Sequence, residues 1–234
     1  MLKSLVAVLP IAIFAMHPAN AEVVESVDGG FVTRDVVIVE ATPKAVWLAL
    51  IAPKNWWNSA HTWSGDAANL TLKPQAGGCF CEKIPEEPDP TKITLEGSVE
   101  HMRVIQAYPE RALRMQGALG PLQSEPVSGI LTIAISEVDQ GTRIVWEYVV
   151  GGYMRYEPAM ISQAVDGVMS QQLSGLASGL GPIEIIEPKP EPETDQGPVV
   201  EESEEGEDSA EEVPADELSV EDALDAMARE RRDE

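Results

Sequence analysis

Two kinds of hydrophobic periodicity alternate along the chain. Residues 31–40 are rich in β-branched side chains, which is typical of a strand. Thr42 and Pro43 then mark the start of a helix, because Thr is a good cap and Pro is favoured at the first helical position. The apolar run at 45–50 predicts a short helix, and Pro53 ends it or starts a second one.

Six further segments favour strands, because β-rich or alternating stretches lie between turn signals. Most of them are consecutive, which indicates an antiparallel sheet rather than βαβ units. With strict alternation along its strand, His101 shares a face with Val99 and Arg103. The six predicted strands are residues 68–73, 79–84, 92–107, 111–116, 127–137 and 142–150.

A long amphipathic helix is predicted after the last strand. Pro158 lies near its first turn, and Gly179 and Gly181 mark its end. Its apolar stripe must be buried, and the concave face of the sheet is the partner that the pattern offers. The predicted class is therefore α+β, with a curved antiparallel sheet of about six or seven strands wrapped on this helix. The stripe consists of Ile161, Val165, Val168, Met169, Leu173 and Leu176.

The N-terminal 21 residues have the three parts of a secretory signal peptide. Lys3 gives a positive start, residues 5–16 are apolar, and Ala19-Asn20-Ala21 is a small-x-small cleavage signal. The apolar run is too short to span a bilayer. We expect cleavage after Ala21 and a periplasmic or secreted protein that is not transmembrane; an uncleaved N-terminal anchor is the alternative.

Negative charge is concentrated at the C-terminal end. The formal net charge is −24, and residues 187–234 contain 20 acidic and four basic residues. A chain this acidic should repel nucleic acids, so no nucleic-acid partner is expected. The Pro/Glu-rich tail at 187–234 is predicted to be disordered. Residues 216–230 are compatible with a short amphipathic helix, either as a docking element for a protein partner or as part of a solubilising tail.

Two cysteines, Cys79 and Cys81, lie on one predicted strand. Their spacing directs both thiols to the same face. They form a redox pair, a soft-metal site, or simply two small residues packed against the core. A disulfide over this spacing closes a very short loop. We expect no metal and no cofactor.

The order of these elements resembles the START-like (SRPBCC) superfamily, which includes polyketide cyclase/dehydrase-like and birch-pollen-allergen-type proteins. The resemblance covers residues 31–180 and rests on the segments at 41–47, 56–57, 74–80 and 141–146. It implies a helix-grip domain at 22–186 with two short helices after the first strand. It also implies a hydrophobic cavity between the sheet and the long helix, but no particular reaction.

Three polar residues are candidates for acid–base chemistry. His61 and Asp66 lie in one predicted loop, where a carboxylate can orient and charge a histidine. The alternative is that Asp66 caps a turn while His61 lies at the surface. His101 contacts a ligand if its strand face is concave, and is solvated otherwise.

A second set of residues is predicted to bind a ligand. Tryptophans supply large apolar contacts with a polar handle. Trp63 lies in a Gly/Ser/Asp loop and is the best candidate for a portal. The predicted ligand-binding residues are Trp57, Trp63, Asn69, Arg114, Trp146 and Met169.

Three functional hypotheses follow. The first is an exported protein that binds an apolar small molecule, and it is favoured because no catalytic constellation stands out. The second is an enzyme of the cyclase/dehydrase or hydrolase type that uses His61, Asp66 or His101. The third is an interaction module that acts through the acidic tail.

Overall fold

The part of the chain that the structure describes is α+β, with a nine-stranded antiparallel sheet and two α-helices. The computed structural model describes residues 21–183. The predicted tail at 187–234 and, except for Ala21, the predicted signal peptide lie outside the described residues. The helices are α1, Pro43–Leu50, and α2, Pro158–Ser178. The strands are β1 Ala21–Val27, β2 Gly30–Val39, β3 Leu70–Leu72, β4 Cys79–Ile84, β5 Gly97–Tyr108, β6 Ala112–Gly117, β7 Val127–Val138, β8 Gly141–Gly152 and β9 Pro182–Ile183.

The strands pair in the order β1-β2-β8-β7-β6-β5-β4-β3, and β9 pairs with the end of β2. Every pairing is antiparallel. Helix α2 packs on β1 and β2, and it buries the predicted stripe residues Ile161, Met169 and Leu173. This arrangement fits a helix-grip fold in broad terms.

Local sequence signals account for several element boundaries. The Thr42 hydroxyl accepts the Ala45 N–H at the start of α1, where Pro43 occupies the first turn. Short 3₁₀ turns follow α1 at Pro53–Asn55, Ser59–His61 and Ala67–Asn69. The second predicted short helix is thus a single 3₁₀ turn at Pro53.

Two strands, β1 and β9, were not predicted. The signal for β1 was present, because Asp28 and Gly29 stand between apolar neighbours, and an Asp-Gly pair is a strong hairpin signal. Gly29 has a φ of 83°, which suits glycine. The long strand predicted at 92–107 begins instead at Gly97.

The core lies between the inner face of the sheet and the two helices. Its largest fully buried side chains include Trp146, Tyr148 and Phe31. No helix within residues 21–183 is long and apolar enough to cross a membrane.

A bulge between β4 and β5 changes which residues face the core. Phe80 pairs with Met102 and Cys81 with Glu100, so His101 is the extra residue. The bulge lets both His101 and Met102 point inward, and each is at most 7% exposed. Arg103 is exposed on the outer face. The prediction that His101 shares a face with Arg103 was therefore wrong, because the bulge breaks the alternation between them.

Candidate functional site

An apolar pocket lies between the inner face of the sheet and the segment that follows α1. Every residue of its lining is apolar in character, and the only polar side-chain atoms belong to tryptophan indoles. The free space holds a volume of only about 10 Å³, close to that of one water-sized sphere. The lining consists of Leu50, Pro53, Trp56, Trp57, Leu72, Phe80, Leu113, Met115, Leu131, Ile133 and Trp146.

Aromatic rings form one side of this pocket. The ring centroid of Trp56 lies 5.8 Å from that of Trp146 in an edge-on arrangement. Trp57 lies 5.6 Å from Trp56 and 5.2 Å from Phe80. Such contacts contribute beyond the area they bury. Trp56 and Trp57 are only half-buried, so this wall of the pocket is partly in contact with solvent.

Three hydrogen bonds hold the Trp56–Trp57 wall in place. The Trp56 indole N–H donates to the Ala49 carbonyl at 2.9 Å, and the Trp57 indole N–H donates to the His61 carbonyl at 3.0 Å. The backbone N–H that follows, at residue 58, donates to Gln172 Oε1 on α2 at 2.8 Å. The wall is therefore tied to α1 and α2 rather than to the sheet.

Two buried nitrogen donors in residues 21–183 make no hydrogen bond. They are Trp146 Nε1 and Gln172 Nε2. Trp146 lines the pocket and is 2% exposed. Most buried donors in proteins are paired, and leaving one unpaired costs about 1–3 kcal/mol. The free space of the pocket is bounded by carbon atoms, so this indole N–H meets an acceptor atom of a bound molecule only when the pocket opens around Trp146.

A buried acid lies beside Trp146 on the neighbouring strand. Asp35 is directly opposite Trp146 in the β2–β8 register and is 1% exposed. Ser170 Oγ lies 3.0 and 3.1 Å from its two carboxylate oxygens. Burial raises the pKa of Asp35 to about 7; the Ser170 hydrogen bond lowers it and the nearby Asp166 raises it further. Below about pH 7 Asp35 is therefore mostly neutral, and the core then holds no charge at this position.

A second buried pair holds the loop that contains Trp63. Glu82 is 1% exposed, and its carboxylate accepts the backbone N–H groups of Trp63 and Ser64. Its Oε2 also lies 2.9 Å from Nε2 of His101. Burial by itself raises the pKa of Glu82, but the hydrogen bonds from Ser64, Trp63 and His101 together hold it below its ordinary value. Burial lowers the pKa of His101, and Glu82 opposes this shift only in part.

At neutral pH these two lowered pKa values favour a carboxylate on Glu82 and an uncharged imidazole on His101, and an ionised Glu82 requires His101 to donate through Nε2. The His101 ring centroid lies 5.2 Å from that of Phe80, which lines the pocket. His101 itself is not part of the lining. Sequence reasoning missed Glu82, although a charged residue between apolar neighbours in the inward register of β4 is a recognisable signal.

The predicted pair of His61 and Asp66 is not assembled. The Asp66 carboxylate accepts the Ala68 N–H and caps a 3₁₀ turn. The exposed His61 lies with Nε2 at 2.8 Å from Gln171 Oε1 on α2. The alternative, in which Asp66 caps a turn while His61 lies at the surface, describes these positions.

Trp63 and Asn69 belong to the loop that Glu82 holds, and both lie outside the pocket lining. The Trp63 side chain is 60% exposed, and its indole N–H donates to Gln123 Oε1 at 2.9 Å. Asn69 Nδ2 donates to Ser64 Oγ at 3.0 Å. Trp63 thus links this loop to the 3₁₀ turn at Gly120–Ser124, which connects β6 to β7.

The other predicted ligand-binding residues lie in three different environments. Trp57 and Trp146 line the pocket. Met169 lies on α2 and is buried in the core outside the pocket lining. Arg114 alternates with the core residues on β6, and its Nε donates to Thr132 Oγ1 at 3.0 Å, so it lies on the outer face. The structure brings only the two tryptophans together in the pocket.

Cys79 and Cys81 form a disulfide with each other. They flank the buried Phe80, so their half-buried side chains lie on the outer face of β4. The expectation of two small residues packed against the core was therefore wrong, because β4 directs Phe80 and Glu82 inward instead.

Comparisons with known proteins give only distant likenesses. No family model matches the sequence, and no curated protein matches it. A solved protein from Mesorhizobium loti has 14% identity and a TM-score of 0.43, over 63% of this chain and 94% of that protein. One from Rhodobacter sphaeroides has 19% identity and a TM-score of 0.43, over 68% and 97%. One from Chromobacterium violaceum has 14% identity and a TM-score of 0.41, over 65% and 99%. With TM-scores below 0.5, these likenesses decide neither the family nor the function.

Proposed function

We propose that this protein binds a small, largely apolar molecule that carries one hydrogen-bond acceptor. The observation that carries the proposal is Trp146, which lines the apolar pocket and whose indole N–H is buried without a hydrogen-bond partner. Apolar walls supply affinity, and a single donor supplies orientation. A ligand acceptor facing Trp146 would remove the cost of the unpaired donor.

We further propose that the domain is START-like and is exported. The element order of the sequence supports the first part, since that superfamily binds ligands between the sheet and the long helix. The Cys79–Cys81 disulfide supports the second, because disulfides persist in oxidising compartments. The signal-peptide pattern at 1–21 agrees with export.

Ligand entry requires the wall of the pocket to move. A volume of about 10 Å³ holds nothing larger than a water molecule. The half-buried Trp56 and Trp57 form a wall of the pocket, and they lie in the irregular segment after the 3₁₀ turn at Pro53–Asn55 rather than in the sheet. Their displacement breaks the three hydrogen bonds that hold the wall, to Ala49, His61 and Gln172, but no sheet ladder. We therefore expect slow, opening-limited binding.

The test uses two probes of nearly equal shape. Acetophenone has a carbonyl acceptor, and α-methylstyrene replaces that oxygen by a methylene group. Titration of ¹⁵N-labelled protein follows the indole N–H resonances, and the Trp146→Phe variant assigns the one from Trp146. We expect acetophenone to shift this resonance and to bind about 10-fold more tightly than α-methylstyrene, since one buried hydrogen bond contributes about 1–1.5 kcal/mol.

The matched control is Trp47→Phe, which removes an indole in the core but outside the pocket lining. Trp146→Phe should abolish the preference for acetophenone, whereas Trp47→Phe should retain it. Equal binding of both probes, or a Trp146 resonance that does not move at saturation, would refute the proposal. Native mass spectrometry of gently purified protein then identifies the class of any copurified molecule.

The other two functional hypotheses stay predictions. For an enzyme, His101 is the remaining acid–base candidate; its ring packs against Phe80 of the pocket lining, but His101 itself does not line the pocket. The hypothesis of an interaction module concerns the tail at 187–234, outside the described residues.

A further inference from the structure

A second cluster of reactive groups lies on the outer face of the sheet, away from the pocket. Cys79 Sγ, Cys81 Sγ and a carboxylate oxygen of Glu100 all lie within 4.8 Å of one another. The β4–β5 register places Glu100 directly opposite Cys81 and Arg103 directly opposite Cys79. Two sulfurs and one oxygen therefore converge from neighbouring strands.

The disulfide contributes little to holding the fold together. It closes a loop of only three residues, and the entropy that a cross-link removes from the unfolded chain grows with loop length. Both cysteines already lie in a strand that pairs with neighbours on its two sides. Stabilisation of the fold therefore does not explain why two cysteines lie at this position. The reactivity of their thiols is the remaining explanation.

From this geometry we propose that Cys79, Cys81 and Glu100 form a site for a thiophilic divalent cation such as Zn²⁺ or Cd²⁺ when the disulfide is reduced. A dithiol reductant breaks the Sγ–Sγ bond, supplies two electrons and two protons, and itself becomes a disulfide. Binding of the cation then releases both thiol protons to solvent. The oxidised pair has no thiolate and does not bind the cation.

The distances fit such a site. In a tetrahedral zinc site with Zn–S near 2.3 Å and Zn–O near 2.1 Å, ligand atoms are about 3.5–3.8 Å apart. The two sulfurs and the Glu100 oxygen lie within 4.8 Å of one another, so small side-chain rotations can bring them to that separation. The two Cα atoms of the cysteines lie 5.4 Å apart, so the strand itself need not move far. Three protein ligands leave one position for water.

The surroundings of Glu100 suit a metal ligand. Arg103 Nη2 donates to both Glu100 oxygens, at 3.1 and 3.0 Å. A hydrogen-bonded carboxylate is oriented by its partner, as outer-shell groups orient metal ligands. Two thiolates favour Zn²⁺ and Cd²⁺ over Mg²⁺ and Ca²⁺, which prefer oxygen donors.

The experiment titrates Cd²⁺ into the full chain before and after reduction, and it follows the ultraviolet sulfur-to-cadmium charge-transfer absorption. We expect one Cd²⁺ per reduced chain, no such absorption for the oxidised chain, and no competition from excess Mg²⁺. Loss of a group that only supports a metal ligand typically weakens binding by about 10–100-fold. Because Glu100 is proposed as a ligand itself, Glu100→Gln should weaken binding by at least about 10-fold. Glu96→Gln is the control, because Glu96 is an exposed acid that directly precedes β5 and pairs with Lys83.

Circular dichroism of the reduced chain checks that the fold persists without the disulfide. A folded, reduced chain without the charge-transfer absorption would overturn the proposal. Equal affinities of Glu100→Gln and Glu96→Gln would remove Glu100 from the site and overturn it in the form stated. The outcome is independent of whether the inner pocket binds an apolar molecule.

Discussion

The buried acid Asp35 makes the stability of this protein depend on pH in a direction opposite to that of most carboxylates. Asp35 is 1% exposed on the inner face of β2, beneath α2. Its pKa rises from 3.8 to about 7, first because of burial. Since the folded state holds the proton more tightly than the unfolded chain, the contribution of Asp35 to stability is complete below pH 3.8 and is lost as the pH rises through 7.

The size of this effect follows from the two pKa values. A difference of about three pKa units corresponds to about 4 kcal/mol, at 1.36 kcal/mol per unit. Total stabilities of domains are about 5–15 kcal/mol, so the loss is a large fraction. In Asp35→Asn, an uncharged amide replaces the protonated carboxyl and can still donate to Ser170 Oγ. This variant should match the wild type at pH 4 and exceed it by about 2–4 kcal/mol at pH 8.

Urea denaturation of both proteins from pH 4 to pH 8 measures this difference. With a urea m-value of about 2 kcal/mol/M, we expect the midpoint of the variant at pH 8 to lie about 1–2 M higher. Subtracting the two curves removes the contribution of every other titrating group. Asp139→Asn, at an exposed turn, should parallel the wild type. Parallel curves for Asp35→Asn and the wild type would show that Asp35 is ionised in the folded protein, and the reasoning would fail.

Two other substitutions probe the packing around the site. Glu82→Gln should lower stability by about 2–4 kcal/mol and the melting temperature by about 5–15 °C, because one amide cannot accept from Trp63, Ser64 and His101 as the carboxylate does. The exposed Glu137→Gln is the control in the same thermal scan. Equal losses of melting temperature in the two variants would contradict the view that Glu82 holds the Trp63 loop in place. Gly175→Ala places a Cβ 2.5 Å from the carbonyl oxygen of Trp56 and should destabilise by about 1–3 kcal/mol. Gly167→Ala, with open space around it, should raise the free energy of unfolding by about 0.5–1 kcal/mol. If urea denaturation showed that both alanine variants stabilise or both destabilise the protein, the close approach of Gly175 to Trp56 would be refuted.

Elements with strong local signals could be predicted from the sequence. The Thr42 cap and Pro43 define the start of α1, and the stripe through Leu173 defines α2. Strand β4 was predicted with the observed boundaries, Cys79–Ile84. These features depend on residues close together in the chain, so local patterns carry them. Strand β9, with two residues, has no pattern long enough to detect.

The candidate site could be predicted only in part. Trp57 and Trp146 were predicted to contact a ligand, and they line the same pocket although they are far apart in the chain. Their residue type indicated an apolar contact, but nothing in the sequence gave the size of the space between them. That size depends on how every side chain of the lining packs, and the result is nearly filled.

By itself, the sequence determined the class of the fold, the positions of its helices and most strands, and the distribution of its charge, because these follow from periodicity and composition. The tertiary structure alone decided which polar groups are buried and what they meet. One extra residue in β5 turns His101 inward to Glu82, and strand register places Asp35 beside Trp146 and Glu100 beside Cys81. Such neighbours are set by strand pairing over long sequence separations, which local patterns do not record.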